Sequence, residues 1–262
     1  MNEPIAPYYD SGGVTIYLGD SRDLLPLLTT TADAVVTDPP YNIGTPQRIT
    51  DTRSADKPLI GGDFGVFDNG AVTPAEWVPM ARRLMRRGGV LLAFYGSRSL
   101  DRLLLADPEM EVIQDFHWCK SNAPVPMRKV GFSWATETGY AMRRRGERHR
   151  VNTDAGFSPN WFSSPVCGGA ERTDHPTQKP LSVMLWLIRH WTFPGDLVLD
   201  PFAGTGTTLV AAKQSGCRAV GIERDRRWCD VAASRLEQSV IPFAELRSGA
   251  THQLDFTEVR NG

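Results

Sequence analysis

Apolar residues along this chain fall into short clusters whose spacing separates strands from helices. Val14-Thr15-Ile16-Tyr17-Leu18 alternates apolar and polar positions and predicts a strand, closed by Gly19-Asp20-Ser21. A short helix is expected over 23–28, and a second strand over 33–37, ending at Asp38. Residues 42–73 are rich in Gly, Asp, Thr and Pro and show no sustained period. They predict a long mobile loop of the kind that closes over a site. Residues 74–87 read as a helix that Thr73 can cap, Pro74 can open and Gly88-Gly89 can stop. The continuous apolar run over 90–95 suits a strand covered on both faces.

Further strands are expected over 112–120 and 137–143, followed by a stretch to residue 174 in which no element is expected. Regular spacing resumes with a helix over 181–191, which Pro194-Gly195 ends. The last third reads as strand 197–199, helix 207–215, strand 219–222 and helix 226–238, with a short strand or a surface extension after Ile241. Strands alternating with helices predict an α/β fold on a largely parallel sheet. At 262 residues the chain is expected to form a single domain over 1–262.

Composition changes this picture little. With 41% hydrophobic and 23% charged residues the chain is ordinary for a globular protein, and no apolar run approaches a membrane span. No partner membrane is therefore expected, and a chain without a secretory h-region is expected to be cytoplasmic. Cys119, Cys167, Cys217 and Cys229 show no C-x-x-C spacing, so no metal site is expected. The net charge is −1, but from Lys120 to Arg150 eight Lys or Arg stand against two Glu. Lys120, Arg128, Lys129, Arg143, Arg144, Arg145, Arg148 and Arg150 therefore form the strong basic region of the chain, suited to contact with phosphates.

Two strings carry chemistry. Asp38-Pro39-Pro40-Tyr41 follows the apolar Ala34-Val35-Val36, and Asp200 to Thr207 (Asp-Pro-Phe-Ala-Gly-Thr-Gly-Thr) follows Leu197-Val198-Leu199. Both lie where a parallel strand ends, the edge at which open α/β sheets bind ligands. Two prolines remove two donors and stiffen the backbone, so this loop presents acceptors. The Asp38 carboxylate and the Pro39 carbonyl can take both hydrogens of an –NH2 group, and Tyr41 offers a face on which a base can stack. In the second string a Gly-x-Gly turn entering a helix lets a ligand approach the backbone. Glu223, ending the next strand, stands where a carboxylate accepts from ribose hydroxyls. Thr208 or Leu209 replaces the third glycine of a dinucleotide fingerprint, which disfavours a pyrophosphate cofactor.

With His175-Pro176-Thr177-Gln178-Lys179-Pro180 as a third string, the chain resembles the β class of DNA amino-methyltransferases that use S-adenosylmethionine. The resemblance spans about residues 17–236, with the D-P-P-Y motif before F-x-G-x-G. It implies a Rossmann-like methyltransferase sheet with a circularly permuted motif order and a short inserted target-recognition segment over 147–174. It implies catalysis by Asp38, Pro39, Pro40 and Tyr41, and a cofactor site from Asp20, Asp200, Phe202, Gly204, Thr205, Gly206, Thr207 and Glu223. Lys179 and Thr177 would meet the methionine carboxylate, while His175 could be structural. The implied reaction is methylation of a flipped-out base in double-stranded DNA, with adenine N6 favoured because many cytosine-N4 enzymes carry serine in place of Asp38. Cytosine N4 stays open. A non-catalytic partner is expected to lose the aspartate or the aromatic, and this chain keeps both. The resemblance also leaves open a homodimer, a separate restriction endonuclease, and a bacterial or phage host in which the enzyme sits with the nucleoid.

Overall fold

A computed structural model describes residues 5–40, 72–95, 100–123, 135–175 and 177–238. The expected loop over 42–73 lies outside them except for Val72 and Thr73, as do Tyr41, Arg128, Lys129 and the tail after Ile241.

The strands are β1 (Tyr9–Ser11), β2 (Val14–Leu18), β3 (Ala32–Thr37), β4 (Met85–Phe94), β5 (Met110–Lys120), β6 (Thr136–Arg144), β7 (Trp161–Ser164), β8 (Leu197–Asp200) and β9 (Arg218–Glu223). They form one mixed sheet in the order β1-β2-β9-β8-β3-β4-β6-β5-β7. The run β2-β9-β8-β3-β4 is parallel, β6 is antiparallel to both β4 and β5, and β7 returns parallel to β5. The helices are α1 (Ser21–Leu24), α2 (Pro74–Leu84), α3 (Leu100–Leu104), α4 (Leu181–Trp191), α5 (Thr207–Gln214) and α6 (Arg226–Gln238). None of them is long and apolar enough to cross a membrane.

Because side chains alternate across a strand, each central strand feeds two cores. Ala34, Val36, Val90, Leu92 and Phe94 pack with α4, α5 and α6 on one face. Val35, Leu91 and Ala93 pack with Trp77, Val78 and Ala81 of α2 on the other. Burial on both faces explains why these strands read as continuous apolar runs.

Three expectations change in detail. The helix expected to run to residue 87 stops at Leu84, because Met85 already pairs with Ala32 of β3. Gly88 and Gly89 then sit in the register shift of β4, where Gly88 takes φ +74°. The segment after β2 splits into α1 and a 3-10 turn (Leu25–Leu27) with Pro26 inside it. In the stretch where no element was expected, Trp161–Ser164 adds an edge strand against His117–Lys120 of β5.

Strand direction decides what shares an edge. The carboxyl ends of β2, β9, β8, β3, β4, β5 and β7 all face one way, and antiparallel β6 brings its amino end to them. One edge therefore gathers Asp20, Glu223, Asp200, Asp38, Phe94, Lys120 and, from β6, Glu137. Gly139 of β6 has no room for a side chain: a Cβ there would run into the Phe116 ring and stand 2.8 Å from the Ala93 carbonyl oxygen. That close approach lets Phe116 meet Phe94 edge-on, with ring centroids 5.1 Å apart.

Candidate active site

The two sequence strings meet through Asp200. Its buried carboxylate accepts a 2.7 Å hydrogen bond from the Thr37 hydroxyl and a 3.0 Å bond from the Phe202 N–H. One carboxylate thus ties the end of β3, which delivers Asp38, to the glycine turn after β8. Burial pushes its pKa up to about 6, against the hydrogen bonds from Thr208 and Thr37 that pull it down. Asp200 was expected to touch the cofactor, and the structure turns it inward as the brace of the turn.

The turn itself is held from behind. The Arg235 guanidinium of α6 donates to the Thr205 carbonyl (2.7 Å) and to the hydroxyls of Thr205 and Thr207 (both 3.0 Å). The expected cofactor residues Thr205 and Thr207 are therefore buried and occupied by Arg235, which the sequence reading missed. Gly204 and Gly206 hold φ +51° and +75°, and Gly206 caps α5. At Gly206 a Cβ would also lie 2.7 Å from the Ala232 Cβ. Gly206→Ala is expected to cost about 1–3 kcal/mol of stability through this overpacking and the left-handed φ. It should weaken cofactor binding at the same time, which denaturant melts and calorimetry would measure.

The open face of the turn has the character of a nucleoside site. A Cβ on Gly204 would stand 3.8 Å from His175 Nε2, so a larger side chain would fill the gap between turn and imidazole. His175 packs edge-on against Trp228 at 4.7 Å, and burial, helped by the nearby Lys179 charge, lowers its pKa to about 4. It is a neutral ring at pH 7. The Glu223 carboxylate accepts the N–H groups of Gly204 and Asp225, each at 2.8 Å. A carboxylate has about four acceptor positions, which leaves capacity for ribose hydroxyls. Burial raises the Glu223 pKa, against those two backbone bonds. Phe202 lies edge-on to Trp77 at 5.5 Å. Asp20 caps α1 through the Arg22 N–H (2.9 Å) and pairs with its guanidinium (2.7 Å); the Arg22 hydrogen bond keeps its pKa low. Gly204, Phe202, His175 and Glu223 thus fit an adenosyl group.

Lys179, expected to meet the methionine carboxylate, is buried beside two protein carboxylates. Its buried ammonium pairs with Asp38 and stands 3.0 Å from Glu137 Oε2. Gln178 pins this segment by donating to the Glu171 carbonyl (2.8 Å), and the Glu171 carboxylate accepts the first N–H of α4. Thr177 is exposed, and its N–H donates to His175 Nδ1 at 3.3 Å. Pro39 is buried and Pro40 half-buried beside Asp38. Glu137 was not picked out from the sequence. A lone acidic residue at the start of a strand carries no signal until β6 is placed.

The basic cluster divides. Lys120 lies on the site edge, paired with Glu137 at 2.7 Å. Arg143, Arg144, Arg145 and Arg150 lie at the opposite edge, because β6 runs away from the site. Arg143 pairs with Glu111 (2.8 Å), and Arg144 donates to the carbonyls of Arg82 (2.5 Å) and Met85 (2.6 Å). Arg145 donates to Pro108 (2.9 Å), while Arg150 bridges Asp33 (3.2 Å) and Asp196 (2.9 Å). Arg148 is exposed in the same turn. The expected phosphate contact does not carry over to these five residues: four guanidiniums are committed within the protein, and all five stand across the sheet from Asp38.

A mixed, largely parallel α/β sheet with a glycine turn, a ribose-type carboxylate and an acidic strand end beside it has the form of a nucleoside-dependent group-transfer enzyme. A family model described as DNA methylase, spanning N6 and N4 enzymes, matches residues 32–234, and the chain belongs to that S-adenosylmethionine-dependent family, whose substrate is DNA. It is 27% identical to the type II methyltransferase M.HinfI of Haemophilus influenzae, over 86% of this chain and 68% of the relative. Against the type II methyltransferase M2.MboI of Moraxella bovis the identity is 25%, over 89% and 92%. Among solved structures, the M1.HpyAVI–S-adenosylmethionine complex superposes with TM-score 0.65 and 26% identity, covering 85% of this chain and all (100%) of that one. The PvuII cytosine-N4-specific DNA methyltransferase superposes with TM-score 0.68 at 18% identity, covering 92% of each chain.

Proposed function

We propose that this protein methylates the N6 amino group of an adenine flipped out of double-stranded DNA. The observation that carries the proposal is Asp38: a carboxylate at the end of β3, followed by Pro39 and Pro40, one strand from the cofactor turn and tied to it through Thr37 and Asp200. Asp38 and the Pro39 carbonyl accept the hydrogens of the amine and aim its lone pair away from the ring. S-adenosylmethionine supplies an electrophilic methyl group on a positive sulfonium. As the amine nitrogen becomes positive it faces Asp38, so the attraction is stronger in the transition state than before it. Tyr41 stacks the extruded base, worth about 1–3 kcal/mol, which offsets part of the few kcal/mol that flipping costs.

Gly204, Phe202, His175 and Glu223 hold the adenosyl group, with Gly206, Thr205, Thr207 and Asp200 keeping the turn in shape. Among the described members of the basic cluster Lys120 is the one on the site edge, its ammonium paired with Glu137, and the segment 147–174 recognises the target strand through its part beyond Arg150, in which Phe157 and Trp161 are exposed. An aspartate at position 38, where many cytosine-N4 enzymes have serine, favours adenine. The type II names of M.HinfI and M2.MboI support site-specific modification.

The test is to incubate the protein with unmethylated DNA and S-adenosylmethionine, digest to nucleosides and weigh them, with Asp38→Ala alongside. N6-methyladenine is expected. N4-methylcytosine would overturn the choice of base, and no methylated nucleoside despite cofactor binding would overturn the reaction.

A further inference from the structure

Four charged side chains form a chain into the active site: Lys120, Glu137, Lys179 and Asp38. Glu137 Oε1 takes Lys120 at 2.7 Å, and Oε2 lies 3.0 Å from the Lys179 ammonium, which also contacts Asp38. The two Glu137 oxygens differ. Oε1 is conventionally paired, whereas Oε2 is buried and without a hydrogen bond of good geometry among the described residues. Its contact with Lys179 at 3.0 Å is an ion pair whose heavy-atom geometry falls short of a good hydrogen bond. Both ammoniums rest on aromatic faces, Lys179 over Phe94 at 4.9 Å and Lys120 over Trp118 at 5.2 Å, which fixes their positions.

This arrangement poses an electrostatic difficulty. If Asp38 is to favour a nitrogen that turns positive, an ammonium in contact with it works against that role. Asp38 and Lys179 together carry no net charge; Glu137 adds one negative charge on the Lys179 side, and Lys120 offsets it through the other carboxylate oxygen, one residue further from Asp38 along the chain of charges. We infer that Glu137 is a positioning residue for methyl transfer: it is the counter-ion that takes up Lys179 as the target amine engages Asp38, so that the nascent cation faces a negative group. The inference rests on the reading of Asp38 as the residue that holds the amine. The chemistry of the step is unchanged by it: Glu137 forms no bond to substrate and moves no proton.

Oε2, buried and ion-paired with Lys179 at 3.0 Å but short of good hydrogen-bond geometry, gives the mechanism its physical content. An ammonium has three donors, and a small rotation of the Lys179 side chain toward Oε2 would satisfy that oxygen while loosening the contact with Asp38. Lys120 holds Glu137 from the other side, so the carboxylate cannot follow Lys179 inward.

The test is single-turnover methylation at saturating DNA, with cofactor affinity measured separately by calorimetry. Glu137→Gln is expected to slow transfer by roughly 10–100-fold, the effect of one unit charge about 6–12 Å from the reacting centre at an effective dielectric of about 20. Cofactor affinity should stay within about twofold, since Glu137 lies outside the Gly204–Glu223 site. Glu137→Asp, which keeps the charge, should hold its rate within about fivefold of the original. The decisive variant is Glu137→Gln with Lys179→Met. If Glu137 acts through Lys179, removing both leaves Asp38 with its own negative charge, and the double variant is faster than Glu137→Gln alone. A Glu137→Gln enzyme as fast as the unaltered protein, or a double variant no faster than Glu137→Gln, overturns the inference. Unaltered protein that leaves DNA unmethylated overturns instead the reading on which it rests.

Discussion

Replacing Asp38 with alanine is expected to reduce methyl transfer by about 10³-fold, the usual consequence of removing a preorganised group that faces charge developing in the transition state. Cofactor affinity should be nearly unchanged. The carboxylate sits outside the turn formed by Gly204, Gly206 and Glu223, and its link to that turn runs through the neighbouring Thr37 hydroxyl, which the substitution leaves in place. Asp38→Asn is the sharper variant. It preserves shape and one acceptor, which the Lys179 ammonium would take, so the amide N–H groups would stand where a carboxylate oxygen faced the target amine. Both variants are expected to fold, because Lys179 keeps Glu137 as counter-ion. Single-turnover kinetics together with calorimetric cofactor binding separates the two effects. Transfer at the original rate in either variant would remove Asp38 from the mechanism.

Lys179→Met should be the most damaging change to stability in the site. Lys179 is buried, and its removal leaves Asp38 and Glu137 as neighbouring carboxylates with their shared cation gone. Breaking a buried ion pair from one side costs about 3–5 kcal/mol, much of it the penalty of the stranded charge. The pH dependence follows from the same charges. In the unaltered protein burial works to raise the pKa of Glu137, but Lys179 and Lys120 outweigh it and bring it from 4.5 down to about 2. Burial likewise works to lower the pKa of Lys179, and Asp38 and Glu137 outweigh it and raise it above its ordinary 10.5. A lowered carboxylate pKa gives stability that is present above 4.5 and lost as pH falls toward 2. A raised lysine pKa gives stability that is present below 10.5 and lost as pH rises beyond it. Between those limits the network contributes a constant amount.

In Lys179→Met the sign reverses for the carboxylates. Two like charges side by side raise the pKa of one of them, so the folded state holds a proton that the unfolded state has released. Stability should then fall as pH rises above the ordinary carboxylate range. Transfer should rise over the same range as Asp38 loses that proton. Melting temperature and single-turnover rate moving in opposite directions with pH is the expected signature. A variant whose melting temperature and rate are both flat from pH 5 to 8 would show that the two carboxylates do not share the site in this way.

How much of this was legible beforehand depended on whether the cause was local. Turn chemistry is local: Gly204 and Gly206 take positive φ because their residue type allows it, and Pro39-Pro40 stiffens the loop wherever it lies. The helix expected over 181–191 is α4, since its apolar spacing depends on nothing distant. The Asp38 and Asp200 strand ends were readable for the same reason, as apolar runs that stop at an acid. The basic stretch misled because charge counted along a chain ignores direction. Arg143 and Lys120 lie on adjacent antiparallel strands, so sequence neighbours in one cluster end at opposite edges of the sheet.

The amino-acid sequence alone determined the class of fold, the position of the two strand-end loops and the nucleoside character expected of the cofactor, because each rests on residue types acting within a few positions of themselves. Only the tertiary structure decided that β6 enters the sheet antiparallel, bringing Glu137 beside Lys179 and Asp38 while carrying Arg143 and Arg144 away. The same holds for Asp200 bracing the glycine turn and Arg235 holding it from behind. Those pairings join residues distant in the chain, and their energies exist only once strand order and direction have put the charges within a few ångströms of one another.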